Sequence, residues 1–312
     1  MANPSGLTRW RTALKPASWP KLAVPTLLGQ ALGIATAGGK VHSGAVLFGF
    51  VFLIFDAAFI VLLNDWADQR VDAIKRSQFP HAGSPKTIFD GILEPPQLLR
   101  AGLAAGLAAL LVSLAFGVSF QRPALLLGGP LALLLFVAYS LPPLRLNYRG
   151  GGELLEACGV GLVLPWINTY AQSGELFPKQ LGALGGYLAL SLASAIASGL
   201  SDEESDRVGG KRTVVTLLGN GVARRLAELG VLSGAALWLG MILLFDLRVA
   251  FWVGAAAAAV TLQYFVKVLR SSSTAVTGAF AAQGAYKLHL HHAIWRGGTV
   301  LALGVLVQAW FG

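Results

Sequence analysis

The chain has 312 residues, of which 55% are hydrophobic and only 12% are charged, and its formal net charge is +9. A soluble protein carries about 25% charged residues, so this composition excludes a soluble globule, and the high apolar content excludes a disordered chain. Cys158 is the only cysteine, which excludes a disulfide scaffold. The composition therefore predicts an all-α, polytopic membrane protein.

Nine apolar segments approach or reach the ~20 residues that a bilayer-spanning helix needs. In chain order they cover residues 22–38, 44–63, 98–119, 124–141, 153–172, 181–200, 230–247, 249–268 and 294–311. The first is short and rich in glycine, and the fifth contains Pro165, which removes one backbone hydrogen bond and can kink the helix. We expect one transmembrane domain, residues 1–312, with about nine transmembrane helices.

The Lys and Arg residues indicate how these segments are oriented. With the N-terminus placed in the cytoplasm, 20 of the 24 fall on the cytoplasmic side of the membrane and four on the opposite side. The positive-inside bias of membrane proteins predicts this asymmetry. It also accounts for most of the net positive charge, so we expect the lipid bilayer, and no nucleic acid, as a partner.

The acidic residues concentrate in two short stretches, each directly after an apolar segment. The first contains Asp65, Asp68 and Asp72, and the second contains Asp202 and Asp206. If each stretch is helical, with 100° of rotation per residue, its aspartates share one face of the helix. Four apolar segments separate the two stretches, so both lie on the same side of the membrane, which the basic residues indicate to be cytoplasmic.

Clustered carboxylates repel one another unless a cation compensates their charge. Oxygen ligands at this spacing suit Mg²⁺, which takes few protein carboxylates and keeps positions for water and phosphate oxygens. Basic residues follow both stretches: Lys75, Arg76 and Lys86 after the first, and Arg207, Lys211 and Arg212 after the second. Carboxylates next to Lys and Arg predict a site for a metal–pyrophosphate complex.

The same stretches resemble the motifs of a known family, the UbiA superfamily of intramembrane aromatic prenyltransferases. Residues 64–72 match its NDxxDxxxD motif at every fixed position, and residues 202–206 match its DxxxD motif. Residues 210–213 resemble its GKRT-like run, and residues 139–146 resemble its YSxPPxRL element. The resemblance implies Mg²⁺-dependent transfer of a prenyl group from a polyprenyl diphosphate to an aromatic acceptor. It also implies a central cavity among the helices that opens near the cytoplasmic face.

Further elements bear on the acceptor. Residues 148–153 resemble the YRGxGE element of the MenA-like branch, which prenylates 1,4-dihydroxy-2-naphthoate in menaquinone biosynthesis. The loop at residues 83–91 differs from that of standard members, and residues 159–166 resemble the chlorophyll-synthase branch. The naphthoate is thus the expected acceptor, with a chlorophyllide, a homogentisate or a hydroxybenzoate as alternatives. This reading implies a bacterial inner membrane, with the N-terminus and the acidic motifs cytoplasmic.

The resemblance also implies roles for particular residues. The expected Mg²⁺ ligands, direct or through water, are Asp65, Asp68, Asp72, Asp202 and Asp206. The expected substrate-binding residues are Asn64, which supports the first cluster, Lys86, Arg145, Tyr139, Lys211, Arg149 and Asp56. For Arg149, a charge at the membrane surface explains the residue as well as substrate binding does. Lys15 and Lys21 could reach the diphosphate, although anchoring at the membrane surface also explains them.

Two other features could carry function. Asp56 lies inside the second apolar segment, two turns before Asn64, and an ionisable residue inside a membrane is a functional candidate by default. It either faces the acceptor cavity or forms a hydrogen bond to a neighbouring helix. His289, His291 and His292 resemble a metal cluster, but we expect them in an interfacial cytoplasmic loop without further ligands.

An ion-coupled transporter is the competing hypothesis from another class of protein. It would explain the many apolar segments and would use the carboxylates as sites for the coupling ion. Transporters, however, place their key charges near the bilayer midplane. Here the aspartates follow the apolar segments at one membrane face, next to basic residues, and this placement favours the enzyme.

Overall fold

The structure, a computed structural model, describes residues 5–80, 83–244 and 251–312, and the side chains of residues 241–244 are not described. These residues form helices and connecting turns, with no strand among them. The helices are α1 (Gly6–Ala13), α2 (Pro20–Thr36), α3 (Ser43–Ala67), α4 (Gln69–Gln78), α5 (Pro95–Ser119), α6 (Leu125–Ser140), α7 (Gly152–Cys158), α8 (Leu164–Ser173), α9 (Leu184–Leu200), α10 (Glu203–Gly209), α11 (Val214–Leu218), α12 (Asn220–Leu244), α13 (Phe251–Ser272) and α14 (Phe280–Phe311). A π-helical turn, Gly159–Val163, joins α7 to α8.

A helix lies at each of the nine predicted segments. Within the described ranges, six helices are long and apolar enough to cross a membrane: Ser43–Ala67, Pro95–Ser119, Gly152–Ser173, Lys179–Leu200, Phe251–Ser272 and Phe280–Phe311. The helix Leu125–Ser140 is apolar but shorter, and α2 has 17 residues with Pro25 inside. Residues 245–250, between the seventh and eighth predicted segments, lie outside the described residues. The all-α membrane fold is confirmed, and the count of nine spans stays a prediction.

The last helix corrects one expectation. His289, His291 and His292 lie within α14, which begins at Phe280, and not in a loop before it. The residues before the apolar segment are too polar to predict a span. They nevertheless continue a buried helical stripe, in which Tyr286 and Leu290 are fully buried, because residues four apart share a helix face.

Two groups of helices pack into separate hydrophobic clusters. One cluster is built mainly from α9, α12, α13 and α14, and the other from α3, α5, α6 and α8. Helix α2 contributes to both, and it approaches α8 closely at Gly29, where a Cβ atom would lie 2.3 Å from the carbonyl oxygen of Pro165. The Thr169 hydroxyl donates to the carbonyl of Gly29 at 3.0 Å. Small residues allow such contact between membrane helices. Residues from both groups of helices line one cavity.

Candidate active site

The cavity has a volume of about 680 Å³ and has a polar and an apolar part. Its polar part lies at the end of α3 and is completed by α4, α10, α14, the segment before α2 and the loop after α4. The charged side chains that line this part are Lys15, Asp65, Asp68, Asp72, Lys75, Lys86, Asp202, Asp206, Lys211 and Lys287. All five predicted metal ligands therefore line one cavity.

The first aspartate motif spans a break between two helices. Helix α3 ends at Ala67 and α4 begins at Gln69, so Asp68 joins them with φ −96° and ψ 15°. The motif is therefore not one continuous helix, yet Asp65, Asp68 and Asp72 all reach the cavity. The three side chains thus keep the shared face that the spacing predicts, although the helix is interrupted at Asp68.

A basic residue contacts each aspartate of this motif. Asp65 accepts a hydrogen bond from Lys15 Nζ at 2.6 Å, and Asp72 forms an ion pair with Lys86. Asp68 Oδ2 lies 2.7 Å from Lys211 Nζ. These carboxylates are buried, so the ammonium groups supply the compensating charge that a low-dielectric site requires.

The second motif meets the first across the cavity. Asp202 precedes α10 and forms an ion pair with Lys75 of α4, whose Nζ also donates to the carbonyl of Ser201 at 2.9 Å. Lys211 links the two motifs, because its Nζ also lies 3.7 Å from Asp206 Oδ1. Two stretches more than 100 residues apart thereby form one charged surface.

Burial and charge shift the ionisation of this surface. Burial raises the pKa of Asp206 to about 7, against the opposing charge of Lys211, and burial likewise raises the pKa of Asp72 against Lys86. Burial would also raise the pKa of Asp202, but the lysines, Lys75 foremost, hold it below its usual value. Burial acts to lower the pKa of Lys211, but the aspartates around it hold that pKa well above its ordinary value.

The donor atoms suit a hard divalent cation. All are carboxylate oxygens, the ligands that Mg²⁺ prefers, and Asp206 Oδ1 is buried without a hydrogen-bond partner in the described part of the chain. Within the same part, no group of three or more His, Cys, Asp or Glu side chains is arranged to hold a metal ion. Lysines instead contact the carboxylates, so metal binding would require these ammonium groups to move.

The remaining predicted residues differ in where they lie. Asn64 Nδ2 donates to Asp68 Oδ2 at 3.4 Å and to the Ser140 hydroxyl at 3.3 Å, consistent with a supporting position. Tyr139 lines the cavity. Arg149 is exposed and does not line it, in keeping with a charge at the membrane surface.

Arg145 lies behind the wall of the cavity. Its Nη2 donates to the carbonyl of Ala67 at 2.9 Å, and its guanidinium lies 3.7 Å from the ring centre of Tyr148. The Tyr148 hydroxyl in turn donates to Asp68 Oδ1 at 3.2 Å. Arg145 therefore caps the C-terminal end of α3, where a cation is favourable, and supports the first motif in this structure.

Three lysines, Lys15, Lys75 and Lys287, were not among the predicted substrate-binding residues, although Lys75 was noted after the first motif and Lys15 as able to reach the diphosphate. All three line the cavity. Lys75 lines it from α4, and its signal was available, since it follows Asp72 by three residues on one helix face. Lys15 has a left-handed backbone with φ 47°, an unfavourable conformation for a non-glycine residue, and contacts Asp65. Lys287 donates to the Ser201 hydroxyl at 3.2 Å, and no ion pair joins it to a carboxylate in the described residues.

The deeper part of the cavity is apolar except for a few groups. Ala57 and Ile60 of α3 and Phe136 of α6 form its walls. Asp56 also lines it and is only 3% exposed. Of the two alternatives for Asp56, the structure supports the one that faces the cavity.

Glu156 and Lys21 form an ion pair in the wall of the same cavity. Lys21 thus has a specific partner at the cavity, beyond the membrane-surface position that the sequence suggested. This ion pair is one of the few polar features of a largely apolar wall.

Comparison with known proteins gives consistent matches. A model of the UbiA prenyltransferase family matches residues 22–290. The lycopene elongase/hydratase of Halobacterium salinarum is 29% identical over 229 residues, which are 72% of this chain and 74% of that protein. The 1,4-dihydroxy-2-naphthoate octaprenyltransferase of Escherichia coli is 26% identical over 250 residues, 77% of each chain.

Solved structures share the fold. A UbiA homolog from Archaeoglobus fulgidus bound to GPP and Mg²⁺ has a TM-score of 0.68 and 18% identity, covering 94% of this chain and 99% of that one. The same homolog bound to DMAPP and Mg²⁺ also has a TM-score of 0.68, at 17% identity. At this identity the likeness concerns the arrangement of helices.

Proposed function

Since the chain belongs to the UbiA prenyltransferase family, and is therefore an integral membrane prenyltransferase, we propose that it acts on a polyprenyl diphosphate and an aromatic acceptor with Mg²⁺ as cofactor. The observation that carries this proposal is the single cavity in which two aspartate motifs and five lysines meet next to apolar walls. Family membership favours this enzyme over an ion-coupled transporter.

The polar part of the cavity binds the diphosphate in this proposal. Asp65, Asp68, Asp72, Asp202 and Asp206 would hold Mg²⁺, which neutralises the diphosphate and makes it a better leaving group when bound. The lysines that now contact the carboxylates, Lys86 and Lys211 among them, would then turn to the free phosphate oxygens. The ammonium groups thus stabilise negative charge in both states.

The apolar part protects the reactive intermediate. When the bond between donor C1 and the diphosphate oxygen breaks, the pyrophosphate leaves with the electron pair and an allylic cation remains. The acceptor ring forms the new carbon–carbon bond, and a proton, or CO₂ from a naphthoate, leaves the ring. Walls such as Ile60 and Phe136 exclude water, which would otherwise capture the cation.

The proposed acceptor is 1,4-dihydroxy-2-naphthoate, in menaquinone biosynthesis. The Escherichia coli relative and the motif at residues 148–153 support it. A polyene is a second candidate because the Halobacterium salinarum relative is a lycopene elongase/hydratase. We also propose a bacterial inner membrane, with the aspartate motifs on the cytoplasmic side.

An endpoint assay tests the proposal. Purified protein in detergent is supplied with Mg²⁺, a radiolabelled polyprenyl diphosphate and, separately, the naphthoate, a hydroxybenzoate, a homogentisate, a chlorophyllide or lycopene. We expect a labelled prenyl-naphthoquinol that disappears with EDTA and in Asp68→Asn, whereas the exposed Glu175→Gln remains active. Product only from another acceptor would refute the naphthoate, and the absence of product from every acceptor would refute the prenyl transfer proposed for this cavity.

A further inference from the structure

Asp56 is an acidic residue of the cavity that the diphosphate chemistry does not use and that, unlike Glu156, forms no ion pair in the described residues. It lies on α3, eight residues before Asn64, which places it about 12 Å deeper along the helix at 1.5 Å per residue. Its side chain lines the cavity and is 3% exposed, and its Oδ1 is buried without a hydrogen-bond partner within the described ranges. No ion pair involving Asp56 occurs there either.

The surroundings of Asp56 do not explain why a carboxyl group is present. Apolar residues line the same cavity: Ala57 and Ile60 on the same helix, and Ala132 and Phe136 on α6. A buried polar group without a partner carries a desolvation penalty that a leucine in the same place would avoid. A carboxyl group with this penalty that also faces a ligand cavity indicates a ligand that satisfies it.

The chemistry of the possible ligands selects among them. A prenyl tail has no hydrogen-bond donor and would leave Asp56 unsatisfied. The diphosphate is anionic and is drawn to the lysines at the other part of the cavity. A hydroxyl group on an aromatic ring is a donor, and the acceptor ring must lie close to the donor C1, between the diphosphate and the apolar walls.

We infer that Asp56 accepts a hydrogen bond from a hydroxyl group of the acceptor, so that the acceptor is a hydroxylated aromatic compound and not a hydrocarbon polyene. This inference rests on the proposed prenyl transfer and adds a specificity-determining residue to it. Asp56 orients the ring by its hydroxyl group, while the rest of the ring contacts apolar walls. A site built around such a hydrogen bond rejects ligands without a hydroxyl group, because the buried carboxyl oxygen of Asp56 then has no hydrogen-bond partner.

The test compares Asp56→Leu and Asp56→Asn with the wild type. We expect Asp56→Leu to raise the KM for the hydroxylated acceptor roughly 10- to 100-fold, as for loss of one buried hydrogen bond to a carboxyl group, and to leave the KM for the diphosphate unchanged. Asp56→Asn keeps an acceptor oxygen and should recover part of the affinity. The thermal midpoint of Asp56→Leu without ligands should rise, because an unpaired polar group is removed.

A methylated acceptor and a control variant sharpen the comparison. Methylation of the acceptor hydroxyl should weaken binding to the wild type and leave binding to Asp56→Leu nearly unchanged, whether measured by KM or by the ligand-induced shift in thermal midpoint. Ser113→Ala is the control, since the Ser113 hydroxyl is buried and donates to the carbonyl of Leu125 at 2.7 Å, away from the cavity. It should lower the midpoint and leave both KM values unchanged.

The outcomes separate the inference from the proposed function. An active Asp56→Leu with an unchanged acceptor KM, or with a raised diphosphate KM instead, would overturn the inference and leave the prenyl transfer intact. Efficient prenylation of lycopene by the wild type, and of no phenol, would also overturn it while keeping the enzyme class. If the wild type forms no product with any acceptor, the proposed function fails and the inference fails with it.

Discussion

Lys211 is the residue whose removal tests most directly how the two aspartate motifs are held together. Its Nζ lies 2.7 Å from Asp68 Oδ2 and 3.7 Å from Asp206 Oδ1, and its side chain is only 11% exposed. At an effective dielectric constant of about 20, the closer pair attracts by about 6 kcal/mol. The cost of desolvating both groups offsets part of this attraction. Truncation of one partner in a buried pair costs about 3–5 kcal/mol.

We therefore expect Lys211→Met, without divalent metal, to unfold at a midpoint lower by roughly 5–10 °C. The methionine keeps most of the side-chain volume, so the loss reports on charge and not on packing. Asp68→Asn in the same chain removes the second charge and should recover much of the lost stability. Thermal unfolding in detergent with EDTA, followed by tryptophan fluorescence, measures the effect.

Mg²⁺ without diphosphate should narrow the difference in unfolding midpoint between Lys211→Met and the wild type, because the metal would neutralise the same carboxylates. Lys179→Met, at an exposed position outside the cavity, is the control and should match the wild type. Equal midpoints for Lys211→Met and the wild type in EDTA would show that Lys211 does not offset the aspartate charge. A difference that Mg²⁺ leaves unchanged would contradict metal binding by Asp68 and Asp206.

Three further variants have expected outcomes. Lys287→Met should raise the KM for the diphosphate about tenfold. Its thermal midpoint should be unchanged or higher, because no carboxylate pairs with this half-buried lysine in the described residues. An unchanged KM would show that Lys287 does not bind the diphosphate. Glu203→Ala should lower the free energy of unfolding by about 3 kcal/mol, because this buried carboxylate accepts hydrogen bonds from α12 and from the loop before α14. A loss of stability as small as that of a surface variant would contradict this role. Arg145→Lys should lower kcat about tenfold at unchanged KM for the diphosphate, because the lysine lacks the guanidinium that stacks on Tyr148 and supports the first motif. A raised KM with unchanged kcat would instead indicate that Arg145 contacts the diphosphate directly.

Several properties of the site were predictable because they depend on neighbours in sequence. The spacing of Asp65, Asp68 and Asp72 indicated a shared face, and the structure keeps that face even though the helix breaks at Asp68. The even number of apolar segments between the motifs placed both at one membrane face. Hydropathy predicted a helix at each apolar segment, because burial in lipid requires every backbone polar group to be satisfied within the segment.

Other properties depended on contacts between distant parts of the chain. No pattern in the sequence pairs Lys15 with Asp65 or Lys75 with Asp202, because each pair joins elements that are 50 or more residues apart. Arg145 was predicted to bind pyrophosphate, which stays a prediction, and its contact with the carbonyl at the end of α3 was not predicted. A charged side chain selects its partner by proximity in space, which spacing along one helix does not determine.

The sequence by itself determined the class of protein, the helices and the residues of the two motifs, since composition, periodicity and motif spacing are local and set by the bilayer and the helix repeat. Only the tertiary structure decided which lysines neutralise which aspartates, that Asp56 faces the cavity, and that His291 lies inside a helix. These features follow from how α2, α3, α9 and α14 pack around one cavity. Packing is a sum of many weak contacts between side chains far apart in sequence, so it becomes visible only when the helices are assembled.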